Sequence, residues 1–282
     1  AIDPRNGTIY IAFRRFLHPS QTDSIVIVRS TDFGQSFSSP FVIANINPFD
    51  QPATDLLGDD LVDPAGPSFR TNSYPTMAVD GDGIVYVAWT ERGRGPTGEA
   101  RIVMSTAQDG FGWTAPTPIA DTGGPNYQGH QFMPSLAFSQ GKLVLVWYDQ
   151  RCDEYAPLFG VGPWIGDGMP VRHTTDVRCA QASPGLVPAF EASVQVSKYL
   201  WALLPGTDDV LEQQQFNPPN FELFRGGTTP FHGDYIEVVA APAFVHGANG
   251  WEYNIAPSPS PVFHAIWTDN RDVRPPSDGD WT

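Results

Sequence analysis

The sequence predicts an all-β chain, a β-propeller of four-stranded antiparallel blades, and three observations carry that prediction. Apolar residues come in short alternating bursts and not in helical stripes. Turn formers are dense, with 28 Pro and 27 Gly among 282 residues. One strand pattern, ending in Phe or Trp and followed within a few residues by Arg, recurs along the whole chain.

The recurring strand reads "GTIYIAFRR" at 7–15, "GIVYVAWTER" at 83–92, "GKLVLVWYDQR" at 141–151 and "PVFHAIWTDNR" at 261–271. A shorter first strand precedes it at 74–83, 133–141 and 233–244, joined to it by a Gly- or Asp-rich turn. Third strands follow at 23–30, 100–105 and 175–183, and fourth strands at 40–44, 117–121 and 192–197. Four strands per unit at a period of roughly 50–60 residues is the mark of propeller blades. A sandwich also alternates, but it does not repeat an aromatic–Arg strand ending.

The chain is therefore expected to be one segment, 1–282, with blades near 1–50, 70–122, 130–197 and 233–282. Residues 198–232 read as an insertion, mostly irregular with one short helical turn near 208–214, and loops of this length usually serve function or interfaces. Aligning "AIDPRNG" (1–7) with "AVDGDG" (78–83) sets Ala1 inside a first strand, and "RPPSDGDWT" stops short of a third strand. The expectation is about three and a half blades, cut at both ends, whose edges pack against the remaining blades of a longer chain or against other subunits.

A formal charge of −15 and a pI near 4.5 argue against nucleic acid and anionic membrane, since only sixteen Lys and Arg are available for a basic face. No apolar stretch approaches the length of a membrane span. Cys152 and Cys179 allow one disulfide; two unrelated thiols are the alternative, but low Lys and abundant Trp suit a secreted chain in which such a pair is bridged. An extracellular, cell-surface or periplasmic location is expected.

"RSTDFGQSFSSPFVI" (29–43) holds a turn spelled Ser30-x-Asp32-x-Gly34-x-x-Phe37. Asp32 can accept backbone N–H groups of its own turn, Gly34 can take positive φ and Phe37 can pack back on the sheet, all without a ligand. A degraded copy keeps Ser105, Asp109, Gly110 and Trp113 with one residue inserted, and "SPGLVPAF" (183–190) keeps only the Ser-to-Phe spacing. This turn resembles the Asp-box of the sialidase-like (BNR repeat) six-bladed propeller superfamily. The stretches "FHGDYIEV" and "FHAIWTDNRDVRPP" are similar to bacterial extracellular members without assigned reaction. The resemblance implies that the boxes are structural and lie away from the catalytic face. It also implies, for sialidases, an arginine triad, a Tyr–Glu nucleophile pair and an Asp acid/base; the Arg-Ile-Pro motif of the first arginine is missing here, the nearest stretch being "AFRRF" (12–16).

Arg15, Arg92, Arg151 and Arg271 close the four recurring strands and are candidates for one ring that binds a carboxylate or sulfate. The competing reading, which we prefer, pairs each with a local acid, as Glu91, Asp149 and Asp269 suggest. Asp55, Asp59, Asp60 and Asp63 supply oxygens of the kind Ca²⁺ takes, but not at EF-hand spacing, so a solvated loop is preferred. His130 and His232 precede first strands and are weak site candidates. The expected function is a non-catalytic extracellular propeller module for binding, carbohydrate among the candidate ligands, or for surface assembly. The alternative is a sialidase-like glycoside hydrolase acting on an acidic sugar.

Overall fold

The computed structural model describes residues 1–17, 22–50, 71–96, 98–119, 129–151, 175–197, 233–248 and 250–268. The first sheet holds β1 (Ile9–Arg15), β2 (Ser24–Ser30) and β3 (Phe41–Asn45). The second is β4 (Thr76–Val79), β5 (Ile84–Glu91), β6 (Arg101–Gln108) and β7 (Thr117–Pro118). The third is β8 (Gln131–Ser139), β9 (Lys142–Asp149), β10 (Asp176–Ala182) and β11 (Val194–Gln195). In the fourth, β12 (Ile236–Ala240) pairs with β15 (Phe263–Trp267), and a hairpin of β13 (Phe244–Gly247) and β14 (Gly250–Tyr253) is inserted between them. Every named pairing is antiparallel, and within each four-stranded sheet sequence neighbours are space neighbours. Ile2 bridges Ile9, and Ala1 and Tyr10 exchange backbone hydrogen bonds at 2.9 Å, so the chain start lies along β1 on the first-strand side.

The sheets stack face to face, and the period-2 alternation of strands decides which side chain meets which neighbour. Val85, Val87 and Trp89 of β5 pack with Tyr10, Ile25 and Ile27 of the first sheet. Tyr86 and Ala88, one residue out of phase, pack with Leu143, Leu145 and Trp147 of the third. Val144 and Val146, on the other face of β9, meet Val238 of the fourth. All eight residues of β5 are buried because both its faces are covered, which is why the strand reads as an almost unbroken apolar run. Full burial of such large side chains contributes about 1.5–3 kcal/mol each. First strands adjoin one another, β4 against β8 and β8 against β12, which is the radial order of propeller blades.

A hydrogen bond repeats at the same register in both of these first-strand contacts. Thr76 stands opposite Ala88, the residue before Trp89, and accepts the N–H of Leu136 at 3.0 Å. Ser135 stands opposite Val146, the residue before Trp147, and accepts the N–H of Val238 at 3.0 Å. The recurring aromatic follows the same logic: Trp89 and Trp147 each face the preceding sheet. Phe13, their counterpart in β1, is 37% exposed because no described sheet covers that face.

The disulfide expected between Cys152 and Cys179 is not seen. Cys179 is a free thiol that packs beside Val144 and Val146, and burial raises its pKa; Cys152 lies outside the described residues. No helix among the described residues is long and apolar enough to cross a membrane.

Candidate functional site

Strand polarity separates two ends of the stack. At one, Ile9 pairs with Ser30, and there lies the Ser30–Phe37 turn between β2 and β3; at the other, Arg15 pairs with Ser24. The Ser30–Phe37 segment is a self-contained turn. Ser30 Oγ donates to Asp32 Oδ1 at 2.7 Å and accepts Gly34 N–H at 2.8 Å, while Asp32 accepts the Ser36 N–H at 2.9 Å and its hydroxyl at 2.5 Å. The Ser30 and Ser36 hydrogen bonds hold the Asp32 carboxyl down to about 2. Gly34 has φ +86°, a value L side chains rarely adopt. The second copy has diverged: Ser105 donates to the Thr114 carbonyl at 2.7 Å, Gly110 keeps positive φ and Trp113 packs on the core, but Asp109 turns away to pair with Arg5.

The opposite end, the rim, gathers the charged side chains. Trp89 donates its indole N–H to Glu91 at 3.2 Å, and Glu91 holds Arg94 at 2.9 Å. Trp147 donates to Asp149 at 2.8 Å, and Asp149 holds Arg151 through Nε and Nη2 at 2.8 and 2.7 Å. A tryptophan, a carboxylate two residues on and a nearby arginine thus form a small repeated motif, and the aromatic–Arg signature of the sequence is its trace. The candidate arginines do not occupy one register position, because Arg15, Arg92 and Arg151 follow their aromatics by two, three and four residues. Arg92 sits with its guanidinium carbon 5.9 Å from the Phe49 ring centroid and donates to the Asp50 carbonyl at 3.4 Å. Arg15 is exposed, and Arg271 lies outside the described residues.

A cluster centred on Arg14 stands out, which the sequence reading passed over for its neighbour Arg15. Arg14 shares the inward face of β1 with Tyr10 and Ala12, and its side chain is 3% exposed. A buried guanidinium must be paired. Arg14 donates through Nε and Nη2 to Asp23 at 2.9 and 2.5 Å, and through Nη1 to Asp50 at 2.7 Å and to Asn72 Oδ1 at 3.0 Å. Burial works to lower its pKa, but the bonds to Asp50 and Asp23 outweigh burial and the net shift is upward. For Asp23, burial works upward, while the Leu17 N–H and Arg14 hold the carboxyl below its usual range. Beside this cluster the rings of Phe16 and Tyr74, each 58% exposed, meet edge to face with centroids 6.4 Å apart, and Arg14 lies 4.3 Å from the Phe16 centroid. The inward register of Arg14 was the available signal; Asp50, Asn72 and Tyr74 join it only through tertiary contact.

His130 reports the rim's electrostatics. Its Nδ1 accepts the Ala100 N–H at 3.0 Å and its ring stacks on Phe49 with centroids 4.5 Å apart. Burial, with help from Arg101 and Arg92 against the opposing pull of Glu99, pushes its pKa down to about 4. The proton of the neutral ring therefore sits on Nε2, which makes His130 a donor there at neutral pH. His232 and the acid run Asp55, Asp59, Asp60 and Asp63 lie outside the described residues, and among the described residues no group of His, Cys, Asp or Glu could hold a metal ion.

No family model matches the chain, and no curated protein matches it. Solved structures do. The chain is similar to the GH93 α-L-arabinofuranosidase of Fusarium graminearum in complex with arabinobiose, at 13% identity and TM-score 0.41, over 67% of this chain and 45% of that one. It is similar to the α-L-arabinanase of Penicillium chrysogenum complexed with arabinobiose, at 17% identity and TM-score 0.38, over 70% and 48%. It is similar as well to a protein of unknown function from Dyadobacter fermentans, at 16% identity and TM-score 0.38, over 69% and 49%. The chain thus spans about half the length of the structures it matches.

Proposed function

We propose that the rim around Arg14, Asp50 and Asn72 is a carbohydrate-binding site on an extracellular propeller module. The observation that carries this reading is the exposed Phe16–Tyr74 pair set against a buried, fully hydrogen-bonded charge cluster. A sugar is amphipathic: its C–H faces suit the aromatic rings, and its hydroxyls suit the half-exposed Asp50 carboxylate and the Asn72 amide. Because Arg14, Arg94 and Arg151 already hold carboxylates, the reading favours a neutral sugar over an acidic one.

One observation favours a second reading, hydrolysis. Asp23 and Asp50 both bond the same guanidinium, so two carboxylates lie close together, as glycoside hydrolysis requires. Calorimetric titration of the chain with arabinobiose and with sialyllactose, together with chromatography of the products, tests both. Binding of the neutral sugar, weakened at least tenfold in Tyr74→Ala with no product released, supports the module. Absence of binding to either sugar, or indifference to Tyr74→Ala and Phe16→Ala alike, sinks it. Product formation abolished by Asp50→Asn would establish the hydrolase.

A further inference from the structure

Arg14 orders the rim cluster so that two polar atoms of opposite kind are left over. A guanidinium only donates, so the Asn72 atom it binds is the carbonyl oxygen, and the amide Nδ2, a donor, is turned away from Arg14. Asp50 is used unevenly as well. Its Oδ1 takes both Arg14 Nη1 at 2.7 Å and the Ser73 N–H at 3.2 Å, while Oδ2 takes Arg14 Nη2 alone and keeps a lone pair. Among the described residues, Asn72 Nδ2 has no acceptor and Asp50 Oδ2 no second donor.

The two side chains are neighbours because one nitrogen, Arg14 Nη1, bonds both, at 2.7 Å to Asp50 and 3.0 Å to Asn72. They are also fixed in place. Ser73, fully buried, accepts the Phe49 N–H at 2.8 Å while donating its own to Asp50, which locks residues 49–50 onto the segment that carries Asn72. Asp50 and Asn72 are both only half-buried, and the exposed Tyr74 ring follows Asn72 by two residues. Chemistry narrows what fits there. A cation would meet the amide N–H, and a carboxylate or sulfate would meet the Asp50 carboxylate. Two hydroxyls on adjacent carbons satisfy both atoms, one donating to Asp50 and the other accepting from Asn72, while the C–H groups of the same sugar ring suit the aromatic side chain.

We infer that the rim site recognises an unsubstituted vicinal diol of a neutral sugar, read by an Asp50 acceptor and an Asn72 donor; the inference rests on the carbohydrate reading above. A ring that lacks either hydroxyl is rejected, because it covers one of the two protein atoms without offering it a partner.

Asn72→Asp is the variant that tests this, since it keeps an oxygen for Arg14 and deletes only the donor. Calorimetric titration compares arabinobiose with its analogues deoxygenated at C2 of both rings or at C3 of both rings, and melting checks that the variant is folded. For the parent chain, each deoxygenation is expected to weaken binding at least tenfold. In Asn72→Asp the unmodified sugar should bind at least tenfold more weakly. One of the two deoxygenations should then cease to matter, because the hydroxyl it removes has already lost its donor; a purely structural role for Asn72 would leave both effects intact. A parent chain that binds arabinobiose yet tolerates either deoxygenation, or an Asn72→Asp chain with parental affinity, overturns the diol and leaves a sugar site at the rim. Failure of the parent chain to bind arabinobiose overturns both readings. Should Asn72→Asp melt early, the deoxygenated sugars on the unaltered chain decide the outcome.

Discussion

Gly129 is a residue whose replacement the backbone itself forbids. Its φ is +90°, and a Cβ there would lie 2.3 Å from the carbonyl oxygen of Gln150, a backbone atom that cannot swing aside. Gly129→Ala is expected to destabilise the chain by at least about 2 kcal/mol, from left-handed strain plus the clash, in chemical denaturation. A loss within the scatter of surface substitutions would show that the loop carrying Arg101's acceptor can move. The adjacent His130 supplies a pH signature. It is held neutral down to about 4, whereas in the unfolded chain it titrates near 6.5. Between those values the unfolded state binds more protons, so stability falls as pH drops from 6.5 to about 4 and this contribution levels off below, a loss of at most about 3 kcal/mol. His130→Gln keeps an acceptor for the Ala100 N–H and removes the titration. Denaturation midpoints of the two proteins should therefore converge as pH falls through that window, and parallel curves would refute the assignment.

At the scale of the element, the strand is held to its neighbours by more than apolar area. Thr76 and Ser135 each satisfy a backbone N–H, of Leu136 and Val238, that is otherwise buried between sheets. Thr76→Val and Ser135→Ala should each cost about 1–3 kcal/mol, the price of an orphaned donor, and Thr76→Ser should cost much less. A larger loss in the serine variant than in the valine variant would mean that methyl packing, not the bond, carries the effect. The strands themselves were legible in the sequence because alternation and the Trp–acid–Arg ending are local. β13 and β14 were not: "FVHG" and "GWEY" are short, and their pairing of Phe244 with Tyr253 and His246 with Trp251 shows only once the chain folds back. The site was less legible still. Arg14 and Arg15 are adjacent and chemically identical, and only the face of β1 on which each falls sends one to Asp23 and Asp50 and the other to solvent. Asn72 reaches Arg14 from well beyond the first sheet, a contact that no local pattern announces.

For the whole molecule, the stack behaves as a one-dimensional array in which each sheet draws its stability from the neighbours it touches. The second and third sheets are covered on both faces, and their largest side chains, Trp89, Trp147, Tyr86 and Tyr148, are fully buried. Among the described residues, the first and fourth each have one face that no other sheet covers. Opening should therefore proceed from the ends: amides of β12, β15 and β1 exchange through low-energy local openings, while those of β5, β6 and β9 exchange only with global unfolding. Native-state hydrogen exchange at low protein concentration resolves this directly. Uniform protection across all four sheets would show a single cooperative unit and refute the array picture.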